Sequence, residues 1–336
     1  MIIAVDAMGG DYAPDVVIQG LAEALTEYTA ISKILLVGDT ERIKGLIAEN
    51  GLQDHPKLEL VHASQVVEMH EPSITAIRGK KDSSITVCTN LAKKGEVDAI
   101  VSAGHTGAAV ASSVIRMRTL EGIDRPAIAT VFPAPQGSFV LTDAGANPEC
   151  TPENLVQFAI MGEIYARKIL KIKNPRVGLI SNGEEQSKGT ELTKETFKLL
   201  QKVPNFNFIG NIEGKEVFDG QADVIVCDGF TGNVVLKFSE GLAKGLFKML
   251  KSKLTENPKR KVGAMLARNA FKEVKEISDY AEYGGAPLLG INGTCIIGHG
   301  GSCPKAVKNA IRVASEIVQH GVNNEIIERV KEYKAQ

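Results

Sequence analysis

Five glycine-rich turns carry most of the residues in this chain that are able to do chemistry. The first follows the apolar run Ile2–Val5 and contains Asp6, Gly9, Gly10 and Asp11. Paired glycines let backbone approach a ligand closely. In an open parallel sheet, ligands bind beyond the carboxyl ends of the strands. The second turn runs from Ser102 through Gly104, His105 and Thr106 to Gly107, where it enters a helical pattern. Hydroxyls and N–H groups at a helix start make an anion site. The third spans Asp143 to Asn147. The fourth holds Asp228, Thr231, Gly232 and Asn233. The fifth holds Gly284 and Gly285, and a related turn, Gly298-His-Gly-Gly301, follows it. Helix capping explains any one of these alone. Together they predict one shared cleft lined by strand ends.

Cations complete the pattern. Arg78-Gly-Lys-Lys-Asp-Ser-Ser84 offers three positive side chains and two hydroxyls before a helix, with Lys80 and Ser84 as candidate ligand contacts. Lys188 lies between Gly183 and Gly189. A lone lysine is ordinarily a solvated charge, and that reading is kept for Lys81. Arg78 and Lys188 are the expected phosphate cations and catalytic residues. The motifs G-x-G-x-x-G, G-x-x-x-x-G-K-[ST], G-x-S-x-G and H-E-x-x-H are all missing. The six histidines form no i, i+4 pair, and no metal site is expected. No covalent nucleophile stands with a base and its orienting partner. The expected chemistry is anion binding and charge stabilisation, with no cofactor. His299 is the candidate proton donor. For both His299 and His105, a purely turn-shaping role is an equal alternative.

The elements that must position these turns alternate. Strands are predicted at 2–7, 34–38, 58–62, 99–102, 127–132, 139–143, 177–181, 206–210, 224–228 and 295–298. Helices are predicted around 14–29, 40–49, 84–94, 106–119, 153–170, 189–202, 231–252 and 304–334. Several strands are wholly apolar, as suits burial on both faces. The pattern predicts an α/β fold, a mostly parallel sheet with helices on both faces. Residues 132–140, with Pro133, Pro135 and Gly137, predict a hinge or hairpin. No linker or repeat divides the chain, so a single α/β domain over 1–336 with an active-site cleft is expected.

A net charge of −1 on 336 residues argues against nucleic acid as a partner. Five cysteines without a C-x-x-C pair suit a reducing compartment. No apolar run reaches the roughly 20 residues of a membrane span, and Met1 leads directly into a strand. A cytoplasmic setting is expected. One stretch departs from the average: residues 244–275 hold ten Lys or Arg and two Glu, a formal +8. Apolar residues there, among them Leu254, Val262, Met265, Leu266 and Phe271, have helical spacing, and Pro258 breaks the run. A basic amphipathic helical hairpin is predicted at 244–275. It would suit reversible contact with the anionic inner face of the cell membrane. An acidic carrier protein, a second subunit or plain packing on the core would serve as well.

Taken together, the chain resembles the bacterial phosphate acyltransferases, the acyl carrier protein:phosphate transacylases of phospholipid synthesis. The matching residues include Val5–Asp11, Lys80-Lys81 with Ser83-Ser84, Ser102–Ala108, Gly122–Ala127, Gly145–Asn147, Leu155–Gly162, Phe208–Gly214, Asp228–Val235 and Tyr283–Gly290. His105, Ser181 and Gly301 stand where the family mostly has Asn, Asn and Ser. The resemblance implies a fold similar to the isocitrate and isopropylmalate dehydrogenases and to phosphotransacetylase. It implies attack of inorganic phosphate on the thioester of a long-chain acyl carrier protein. A homodimer is implied too, handing acyl phosphate to a membrane-bound glycerol-phosphate acyltransferase. Two other classes compete: an NAD-dependent decarboxylating dehydrogenase on the same fold, and a non-catalytic scaffold for carrier protein or membrane.

Overall fold

The structure is a computed structural model describing residues 1–135, 137–277 and 279–335. Its strands are β1 (Ile2–Asp6), β2 (Lys33–Gly38), β3 (Leu58–His62), β4 (Ala99–Ser102), β5 (Ala127–Ala134) and β6 (Gly137–Thr142). They continue with β7 (Val177–Ser181), β8 (Phe208–Glu213), β9 (Val224–Val226), β10 (Ala286–Leu289) and β11 (Thr294–Ile297). All join one 11-stranded sheet in the order β3-β2-β1-β4-β11-β10-β5-β6-β9-β7-β8.

The helices are α1 (Asp15–Glu27), α2 (Thr40–Glu49), α3 (Ser73–Gly79), α4 (Ser84–Lys93), α5 (Thr106–Met117) and α6 (Pro152–Lys168). Then come α7 (Glu191–Leu200), α8 (Gly229–Leu254), α9 (Pro258–Leu266), α10 (Arg268–Ile277), α11 (Pro304–Gln319) and α12 (Val322–Lys334).

Alternate residues of the apolar strands enter cores on opposite faces. Ile3 and Val5 of β1, and Val224 and Val226 of β9, join a core with α1, α6 and α11. Ala4 turns instead to the core under α4 and α5, and Ile225 to a third cluster around Phe132 and Phe139. Burial on both faces is why these strands read as continuous apolar runs.

Strand direction changes in the middle of the sheet. β1, β2, β3, β4 and β11 are mutually parallel. β10 opposes both β11 and β5, and the β5–β6 hairpin reverses the chain again. Consequently β6, β9, β7 and β8, parallel to one another, run opposite to the first set. The two parallel halves are joined through an antiparallel centre.

Several expectations need correction. Residues 286–289, read as turn, form β10. A seven-residue helix, α3, holds Arg78 in its last turn. β8 starts two residues later than expected and extends to Glu213. The predicted helix over 304–334 is two helices, parted at Gly321, whose φ of 61° is left-handed. Residues 244–275 break at Pro258, as expected, and again at Ala267. They comprise the last turns of α8 and two short helices, α9 and α10, which Pro258 and the break at Ala267 separate.

Candidate active site

Asp6 ends β1 as a buried carboxylate. It accepts from Ser102 Oγ at 2.7 Å and from the Met8 amide at 3.1 Å. Ser84 and the Gly9 amide also donate to it. Burial raises its pKa in spite of these donors. Ser102 Oγ accepts from the Gly104 amide at 3.2 Å. The first and second turns therefore close on one another. A Cβ on Gly9 would lie 2.7 Å from both Asp6 Oδ2 and the Gly104 nitrogen.

The turn after β11 joins them. The Gly298 amide donates to Ser102 O at 2.8 Å, and the Asp11 amide donates to Gly300 O at 2.8 Å. Gly10 has a φ of 119° there, a conformation that favours glycine. His299 Nδ1 accepts from the Gly301 amide at 3.0 Å, so a neutral ring carries its proton on Nε2. Among the described residues, Asp6, Gly9, Ser84, Ser102, Gly104 and His105 line a narrow space of about 10 Å³, together with Val66, Val67, Ile85 and Ala108. That holds one water. Asp6, Ser84 and Ser102 are thus a hydrogen-bonded framework beside the start of α5.

His105 caps α5, its Nδ1 accepting from the Ala108 amide at 3.2 Å. The amides of Thr106 and Gly107, in the first turn of α5, have no carbonyl partner within the helix. An asparagine side chain at this position would supply the same acceptor. We expect His105→Asn to leave the unfolding free energy within about 0.5 kcal/mol of wild type, and His105→Ala to lower it by about 1 kcal/mol. Urea denaturation checks this. Equal losses in both variants would remove the capping role.

The third and fourth turns pair with each other, at the carboxyl ends of β6 and β9. Asp143, fully buried, accepts from the amides of Ile128, Gly145, Ala146 and Asn147 at 2.9, 3.1, 3.0 and 2.7 Å. Asn147 Nδ2 donates to Asp143 at 2.8 Å and to Pro126 O at 2.7 Å. Asp228 caps α8 by accepting from the Thr231 amide at 2.9 Å and its hydroxyl at 2.7 Å. Gly229 and Gly232 let α8 start directly against Asn147 and Asp143, and Gly145 abuts Asn233. Asn147, Asp228, Thr231 and Gly232 are occupied in joining the two turns. The single cleft expected for all five turns is therefore two assemblies, because β6 and β9 run opposite to β1, β4 and β11.

Other expected ligand residues also have structural work. Lys80 Nζ donates at 2.6 Å to both Val66 O and Glu71. Gly284 and Gly285, with φ of 76° and 153°, admit the backbone of Asn309 and Ala310 and the side chain of Ile296. Lys188 is exposed in the loop after β7, its amide donating to Glu185 O at 2.9 Å. Arg78 is separate from the α5 start and lines a cavity with Lys81 and Arg116. Arg116, Val66 and Val67 are lining residues that sequence reasoning missed. Arg116 reads only as a basic helix end, and the valines belong to a segment without periodicity. Among the described residues, no three His, Cys, Asp or Glu side chains gather as a metal ion would need.

This architecture is that of the phosphotransacetylases. A phosphotransacetylase from Streptococcus pyogenes superposes with a TM-score of 0.63 at 17% identity, over 95% of this chain and 94% of that one. A branched-chain phosphotransacylase from Enterococcus faecalis V583 gives 0.59 at 16% identity, over 95% and 100%. A family profile described as fatty acid synthesis protein matches residues 1–325. The phosphate acyltransferase of Desulfitobacterium hafniense is 51% identical over 336 residues, 100% of this chain and 99% of the relative. That of Geobacter sulfurreducens is 50% identical over 331 residues, 98% and 94%. The chain belongs to this phosphate acyltransferase family. It is accordingly an enzyme, an acyltransferase of lipid biosynthesis.

Proposed function

We propose that this enzyme transfers a long-chain fatty acyl group from the thioester of acyl carrier protein to inorganic phosphate, giving acyl phosphate for phosphatidic acid synthesis. The observation that carries the reading is the start of α5, where two helix amides and the Thr106 hydroxyl meet three stitched glycine turns. Such a terminus favours an anion through its N–H groups and its dipole.

Phosphate is already an anionic nucleophile, so catalysis consists of holding it against the carbonyl and stabilising charge. A phosphate oxygen forms the C–O bond, and the carbonyl electrons move to its oxygen. Collapse of that oxyanion breaks the C–S bond. The thiolate leaves on the carrier and takes a proton, for which His299 is the candidate donor. His299→Gln is expected to lower kcat while keeping the fold, and unchanged kinetics would leave only a turn-shaping role.

Lys188, in the loop after β7, lies at the carboxyl end of the strands that run opposite to β1 and β4, so it is given no part in holding phosphate at α5. The whole reading is tested by incubating long-chain acyl carrier protein with the enzyme and labelled inorganic phosphate and measuring labelled acyl phosphate together with release of the carrier thiol. Absence of labelled acyl phosphate, or a requirement for nicotinamide nucleotide, would overturn it.

Two surfaces support further contacts. Only Gly229 and Gly232 of the 26-residue α8 are buried. Phe230 and Phe238 are 67% and 68% exposed, and Val234, Leu242, Leu246 and Met249 continue their stripe. A contiguous apolar face of this kind suits a second copy of the chain. At the far end, Val262, Met265 and Leu266, the last 81% exposed, stand among the cations of 244–275. No described helix is long and apolar enough to cross a membrane. A basic tip with apolar residues suits reversible adhesion to an anionic bilayer, next to a membrane-bound glycerol-phosphate acyltransferase. Cosedimentation with anionic vesicles should be lost in Met265→Glu/Leu266→Glu while the oligomer is kept. Equal binding by the folded variant would refute membrane contact. Loss of the oligomer would make the tip a subunit contact.

A further inference from the structure

α3 lies along α5. Ser73 sits against Gly107 at one end, and Ile77 and Arg78 share a cavity with Ile115 and Arg116 at the other. That cavity measures about 390 Å³ and is completed by Lys81 and Asn90. Most of its exposed wall is apolar, and three of its four polar lining residues, Arg78, Lys81 and Arg116, are cationic. Arg116 is held by neutral groups, its Nε donating to Asn90 Oδ1 at 3.0 Å and its Nη1 facing Ser112 Oγ at 3.5 Å. Among the described residues, Arg78, Lys81 and Arg116 form no ion pair with a carboxylate. Its apolar wall is buried Ile77 and half-exposed Ile115 (52%). Arg78, Lys81 and Arg116 line one cavity, and an anion bound there would be attracted by all three. Two arginines favour an anion with several oxygens in the geometry of phosphate.

Position narrows the ligand. From His105 at the cap of α5 to Ile115 is ten residues of helix, about 15 Å at 1.5 Å per residue. The acyl carbonyl would lie at the α5 start. A carrier protein presents its thioester on an arm whose other end is a phosphodiester. Such an arm is roughly four peptide units long, about 15 Å when extended. We infer that the cavity of Arg78, Lys81 and Arg116 binds the phosphodiester of the carrier's prosthetic arm, so that α5 spans the distance between it and the reacting thioester. This rests on the acyl carrier protein reading and deepens it.

The test measures the Kd of the full-length enzyme for carrier protein with and without its arm, for wild type, Lys81→Ala and Arg116→Gln, together with the KM for phosphate. Lys81 is exposed on a loop, so its variant keeps the test open if Arg116→Gln fails to fold. The expected result is a roughly ten- to hundredfold weaker Kd for the armed carrier in each folded variant. Binding of the armless carrier and the KM for phosphate should be unchanged. Equal weakening for both carrier forms would assign the cations to the carrier's protein surface and overturn the inference. So would a shift confined to the KM for inorganic phosphate, or no shift at all. If wild type neither binds nor turns over the acylated carrier, the substrate reading itself fails, a result distinct from these.

Discussion

Asp143→Ala is expected to remove cooperative folding, or to lower the unfolding free energy by at least about 4 kcal/mol, out of a typical total of about 5–15 kcal/mol. The carboxylate accepts five hydrogen bonds, four from backbone amides, at a site with no solvent exposure. Alanine leaves those donors buried without acceptors. It also loosens Asn147, whose carbonyl accepts from the first amide of α8 at 2.8 Å. Asp228→Ala is the control. It removes a helix cap at the same junction and should cost only about 1 kcal/mol. Urea unfolding of the two purified variants makes the comparison. A loss of less than about 1 kcal/mol in Asp143→Ala would mean that water or a rearranged loop replaces the carboxylate.

Gly9→Ala should act on catalysis more than on folding. Its new methyl group would meet Asp6 Oδ2 and the Gly104 amide at 2.7 Å, contacts too short to keep. The first turn must move away from the second, displacing Gly104 and the start of α5. A displacement of about 1 Å at a positioning element is enough for a roughly hundredfold loss of rate. We therefore expect kcat/KM to fall at least about a hundredfold, with a melting temperature close to wild type because the cores are untouched. Normal kinetics in a well-folded Gly9→Ala would show that the contact between the turns does not shape the site.

Much of the architecture was legible in residue patterns. Val224–Val226 and Ile34–Val37 announce strands buried on both faces because every side chain is apolar. Phe132 to Val140, through Pro133, Pro135 and Gly137, announces a hinge or hairpin, and β5 and β6 pair there as a hairpin. What stayed hidden depends on contacts distant in sequence. Ala286–Leu289 contains a proline and follows two glycines, so it reads as turn. Yet it pairs with β11 on one side and β5 on the other, and so reverses the sheet. Without that reversal, nothing separates the turns at Asp143 and Asp228 from those at Asp6 and Ser102. α3 is too short, at seven residues, to display a helical period. The same limit applies to glycines. Gly9 and Gly284 look alike in sequence, but one abuts Gly104 at the candidate site and the other admits the backbone of α11. Arg78 stands out in the sequence because it opens the run Arg78-Gly-Lys-Lys81, while Arg116, which lines the same cavity, reads only as a basic helix end.

The central claim is direct transfer: phosphate, held at the start of α5, attacks the thioester with no acyl-enzyme between. Initial rates of acyl phosphate formation, with long-chain acyl carrier protein and phosphate both varied, test it most directly. The account predicts double-reciprocal lines that intersect, because both substrates must be bound before the C–S bond breaks. Parallel lines would contradict it, since they require the carrier to leave an acylated enzyme before phosphate arrives.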